Sequence, residues 1–180
     1  MPDTCTIELR MRAANQLFDP LDASSLTERD LNHRIEEFIV ESMQELDAKE
    51  ACEVVLHFDE PRTIADEEQI VERAIRGYFA RRAKVLQLKL HRLIRRGSIS
   101  LVIGLAFLGL FVLIARILVR FMGENAFTTL LTESLIIGGW VAMWRPLEIF
   151  LYDWWPILGE RRLYDRVSRI PVRVAYDEIR

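Results

Sequence analysis

The chain has 180 residues, 51% hydrophobic and 28% charged, with a formal net charge of −3, averages that describe one ordinary soluble domain. The charge is sorted, however. Residues 1–69 carry 18 acids and 6 bases, residues 70–97 carry 1 acid and 9 bases, and residues 98–144 hold only Arg116, Arg120, Glu124 and Glu133, which excludes a simple water-soluble globule.

The N-terminal MPDTCTIELR lacks a basic stretch followed by an apolar run, so insertion is expected to be directed from an internal segment. Cys5 and Cys52 lack the spacing of a metal knuckle or redox pair. A disulfide between them stays open, with free thiols favoured because this half reads as cytosolic. Thr4–Met11 alternates apolar and polar residues like a half-buried strand. A Pro/Ser/Asp-rich connection, Asp19 to Ser25, leads to Thr27-x-x-Asp30, a near capping box. Leu31, Ile35, Phe38, Ile39 and Leu46 then form an apolar helical stripe. Glu53–Phe58 is a second strand, and a helix between two strands suggests a right-handed βαβ unit.

Thr63-x-x-Asp66 opens another helix, with Glu67 and Glu68 in its first turn. Its pattern runs to about Arg96 and can continue straight into the next segment. Arg81, Arg82, Lys84, Lys89, Arg92, Arg95 and Arg96 on this basic helix are expected to meet anionic lipid headgroups.

Ser98–Ala115 is 18 residues without a charge, about 27 Å of helix against a hydrocarbon core of about 30 Å. Ala126–Trp144 follows with Glu133 as its only charge. Basic residues flank both spans on one side and none lies in Phe121–Asn125, so the positive-inside rule places both termini in the cytoplasm. Counting from the turn, Arg116 and Glu133 fall at equal depth, and an intramembrane ion pair between them is expected to clamp the hairpin. Ser134, Gly138 and Ala142, four apart, offer a helix-packing stripe for the first span or for another protomer.

The second span exits through Trp144, Arg145, Pro146, Glu148, Tyr152, Asp153, Trp154 and Trp155. Indoles and phenols favour the headgroup zone, Pro146 breaks the helical ladder, and Arg145 can pair with Glu148 three residues on. The expected role is an interfacial anchor; the sharper alternative is a conducting or ligand site lined by Arg145, Glu148 and Asp153. Ile170–Tyr176 alternates like a strand and is expected to join the N-terminal pair.

The segment WRPLEIFLYDWWP, followed by ERRLYDR and RIPVRV, resembles an uncharacterised family of two-span bacterial inner-membrane proteins. The resemblance covers most of the chain and implies localisation and topology, with no activity attached.

His33, His57 and His91 match no zinc spacing, and no phosphate-binding glycine loop or nucleophile elbow is present. Glu36-Glu37 and Glu67-Glu68 read as solvated helix faces. The expected fold is a membrane α-helical hairpin plus a small cytoplasmic α+β domain. Its segments are a head (1–63), a basic juxtamembrane helix (64–97), spans at 98–120 and 127–146 around a loop (121–126), an interfacial segment (147–157) and a tail (158–180). The expected function is a non-enzymatic anchor without cofactor in the plasma membrane of a bacterium. Its partners would be the bilayer, anionic lipid, a second copy and an unidentified protein, with no nucleic acid. The alternative is a homo-oligomeric ion channel or transport component near Arg116, Glu133, Arg145 and Glu148.

Overall fold

The computed structural model describes residues 5–22, 24–25, 29–46, 51–61 and 66–176. Thr4, Thr27 and Thr63, expected at the openings of a strand and two helices, lie outside these residues. The chain divides into two compact units, residues 1–86 with 159–180 and residues 87–158.

The first unit is built on a three-stranded parallel sheet. Strands β1 (Cys5–Met11), β2 (Cys52–Phe58) and β3 (Val172–Tyr176) lie in the order β1-β2-β3, with Ile7 opposite Val54 and Val54 opposite Val172. The C-terminal strand therefore joins the N-terminal pair, as expected from its alternation, and here it does so within one chain, which the sequence leaves open. Central β2 buries Cys52, Val54, Leu56 and Phe58 on one face, the period-2 pattern of a strand with one face in the core. Cys5 lies opposite Cys52 across the β1–β2 pair, and neither is in a disulfide.

Helix α1 (His33–Gln44) starts later than expected. Leu31 is bridged to Phe18, which holds the chain extended until the Asn32 side chain accepts the Arg34 N–H and caps the helix. The stripe that α1 buries is Glu36, Ile39 and Met43, at helical spacing. Phe38, expected in the core, is exposed because it lies one residue off this line, about 100° round the helix.

Helix α2 (Glu67–Met122) is unbroken for 56 residues. Val71, Ala74, Ile75, Tyr78 and Phe79 belong to the core of the first unit, together with Val167 and Ile170 from the returning tail. The basic helix therefore begins as part of the folded head.

In the second unit, α2 turns at Gly123, whose φ of 73° suits glycine, into α3 (Ala126–Glu148). A reciprocal cap starts α3: Thr128 donates its N–H to the Asn125 side chain, and Asn125 donates its N–H to Thr128 Oγ1. The helices pack antiparallel, with Gly104 against Ala142 and Met143, Leu108 against Gly139, and Phe111 against Gly138. A Cβ added at Gly139 would fall 2.6 Å from Leu108 Cδ1 and 3.3 Å from its Cα. Gly139→Leu is therefore expected to separate the helices at this level, read as increased cross-linking distance between paired spin labels on α2 and α3.

Beyond α3 the chain passes through a π-helical turn (Ile149–Asp153) into α4 (Trp154–Val167). Proline 146 stays inside the helix rather than ending it. Its missing N–H frees the Ala142 carbonyl, which packs where a side chain at Gly104 would lie, 3.1 Å from that position. The widened π-helical turn follows three residues after Pro146.

Candidate functional site

Among the described residues the buried carboxylate is Glu36, which is 4% exposed although its sequence reads as a solvated face. It sits on the core stripe of α1, so helical phase drives its carboxylate inward toward α2 and α4. Tyr78 donates its hydroxyl to Oε2 at 2.6 Å, and Tyr164 donates to Oε1 at 2.9 Å. Arg82 spans both oxygens, Nε to Oε1 and Nη2 to Oε2, each at 3.3 Å, and also donates to the Tyr78 hydroxyl at 3.1 Å. His33 Nδ1 approaches Oε2 at 3.8 Å.

Burial pushes the Glu36 carboxyl up, but donation from Tyr78, Tyr164 and Arg82 outweighs it and holds the group below its ordinary value. Burial and the bond to Glu36 push Tyr78 up to about 12, and the same causes raise Tyr164. The carboxylate is saturated by three donors and shut from solvent. Its chemistry is that of a lock joining α1, α2 and α4.

The exit motif forms a second polar cluster. Arg145 donates to Glu148 at 2.9 Å, the expected pair, and lies 3.5 Å from Asp153 across the π-helical turn. Trp144 donates its indole N–H to the other Glu148 oxygen at 3.1 Å, and Trp154 donates to the Phe150 carbonyl. Trp144, Tyr152 and Trp155 remain largely exposed, while Pro146 is buried. The Trp144 indole N–H is thus bonded while its ring stays exposed.

Other expected groupings differ. Arg116 and Glu133 form no ion pair with each other, and both are exposed. Their depths match, but Glu133 lies about 100° beyond Thr132, turned away from α2, and Thr132 and Ile136 are the α3 residues beside Arg116. Equal depth is not equal phase. Within the expected small-residue stripe, Gly138 and Ala142 do pack on α2, but Ser134 is exposed and returns its hydroxyl to the Leu130 carbonyl. Gly139 occupies the closest contact instead.

Of the basic residues assigned to headgroups, Arg82 is committed to Glu36, and Arg81 lies 3.9 Å from Asp30 and donates to the Arg29 carbonyl. The acidic head draws both back. Lys84, Lys89, Arg92, Arg95 and Arg96 are exposed. Among the described residues, no group of three His, Cys, Asp or Glu side chains is placed to hold a metal ion.

Two helices are long and apolar enough to cross a membrane, and the most apolar stretches of the two are only 11% and 17% buried. A core helix of a soluble protein would be mostly covered. Comparison with family models, curated proteins and solved structures finds no match to this chain.

Proposed function

We propose that the chain is a two-span protein of the bacterial inner (plasma) membrane, with both ends cytoplasmic, that carries its α+β unit as a non-enzymatic interaction module. The observation that carries this reading is the exposed apolar surface of the hairpin. Val102, Phe107, Leu113, Leu130 and Ile137 stand open along 98–146, a patch far beyond what a soluble monomer leaves in water. The exposed Lys89, Arg92, Arg95 and Arg96 before the first span, against a turn without Lys or Arg, support the orientation and an anionic-lipid contact. The exposed rings of Trp144, Tyr152 and Trp155 support an interfacial anchor.

Topology is tested in a cysteine-free chain carrying Glu124→Cys or Ser168→Cys. A membrane-impermeant maleimide is expected to label the first in intact cells and the second only after permeabilisation. The reverse pattern overturns the orientation, and release of the wild-type chain by alkaline carbonate overturns insertion itself. The channel or transport reading draws on exposed Arg116 and Glu133 within an apolar hairpin. Absence of ion flux in vesicles reconstituted with the protein removes it.

A further inference from the structure

We infer that two copies of this chain pair as a twofold dimer through the hairpin face carrying Arg116 and Glu133, each Arg116 set against the partner's Glu133. The inference rests on the membrane reading, since only a dry surround makes the two exposed charges costly.

The geometry starts from the contact line between α2 and α3. Gly104, Leu108, Phe111 and Ala115 mark it on α2, and Thr128, Gly139 and Ala142 mark it on α3. In an antiparallel pair of right-handed helices, one step forward from the contact line on either chain turns toward the same side of the pair. Arg116 follows Ala115, and Glu133 follows Thr132, so both belong to one face. The hollow lined by Val112, Arg116, Val119, Thr132 and Ile136 lies on that face.

The two charges stand on different helices at one depth, about 17 residues of chain apart around the turn. A twofold axis parallel to the helices places α2 of one copy against α3 of the other and leaves depth unchanged. The charges then meet their opposites twice, by symmetry. No other arrangement of the same face satisfies both at once without changing their depth.

A second pair of positions obeys the same operation. Gly109 precedes Arg116 by seven residues, and Trp140 follows Glu133 by seven, so both return to this face, at a common deeper level. A side chain at Gly109 would meet nothing within 4 Å, unlike one at Gly104 or Gly139, so packing inside the hairpin does not require this glycine. Trp140 is 62% exposed. The axis that matches the charges brings the partner's Trp140 over Gly109, a large ring above an open backbone.

The test uses the full chain in mild detergent and in lipid nanodiscs. Arg116→Glu alone and Glu133→Arg alone each set like charges against each other, and each is expected to weaken self-association by about tenfold or more. Co-expression of the two variants under different tags restores opposite pairs only across the interface, so the mixed dimer is expected at the wild-type level. An ion pair closed within one chain predicts the reverse, because each variant is mismatched internally.

Oxidation of a chain bearing Gly109→Cys with one bearing Trp140→Cys, native cysteines replaced, gives an independent readout and is expected to cross-link them. Single variants that dimerise like wild type, a mixture that stays apart, or no Gly109–Trp140 cross-link overturns the dimer. A wild-type chain that resists carbonate yet runs as a monomer overturns the dimer alone; a chain released by carbonate overturns both readings.

Discussion

Glu36→Ala is expected to destabilise the first unit by about 3–5 kcal/mol, the cost of removing one partner from a buried charge cluster. The variant removes the acceptors of the Tyr78 and Tyr164 hydroxyls, at about 1–3 kcal/mol for each buried donor left unsatisfied. Arg82 loses least, since its side chain is half exposed and can turn to water. A domain of this size is stable by about 5–15 kcal/mol, so the loss is a large share of the whole. Hydrogen exchange of the β2 amides, followed by mass spectrometry on the full chain in detergent, should accelerate about a hundredfold or more. Exchange at the wild-type rate would show that the cluster is incidental. Glu36→Gln, which keeps one acceptor oxygen, should fall between the two.

The same cluster sets a pH window. Because Glu36 is held below its ordinary value of 4.5, the carboxylate contributes stability above that pH, lost as pH falls through the depressed value. Tyr78 is raised from 10 to about 12, so its contribution is complete below pH 10 and lost as pH rises through about 12. Acid unfolding in the wild type should therefore be steeper below pH 4.5 than in Glu36→Gln.

How far these features could be read beforehand depends on whether they follow from period or from phase. Period is local, and it reveals β1, β2 and β3, the two apolar helices and the Arg145–Glu148 pair three residues apart. Phase is set by the partner an element meets, which lies elsewhere in the chain. Glu36 shares the spacing of Ile39 and Met43, a detectable sign of burial, but its acceptor role depends on Tyr164, 128 residues away. Ser134 and Gly139 likewise differ only in which side of α3 faces α2. Glu133 illustrates the same limit, since distance from the turn determines its depth and says nothing of its direction. The late start of α1 has another cause, the bridge between Phe18 and Leu31, which competes for backbone that the near capping box would otherwise use.

Truncation after Arg169 is expected to unfold the first unit altogether. It removes β3 and with it one of the two neighbours of β2, the central strand. It deletes Ile170 and Val172, both buried, at about 1.5–3 kcal/mol each. It also deletes the Pro171 carbonyl that accepts the Val54 N–H at 3.0 Å, the Ile170 carbonyl that accepts from Arg76, and the Tyr176 hydroxyl bonded to Glu67. Together with the lost ladder bonds, at about 1 kcal/mol each, these terms reach the scale of the domain's stability. Limited trypsin digestion of membranes should then open Arg10, Arg12 and Arg34, while the full-length chain resists; identical digestion patterns would refute the role given to β3. The consequence extends to folding order. Residues 1–86 cannot complete their sheet, or close the lock on Glu36, until Tyr164 and β3 have been made, and both follow the hairpin in the chain. The head should therefore reach protease resistance only after both apolar helices have been synthesised, and chains stalled before Arg169 should stay sensitive throughout residues 1–86.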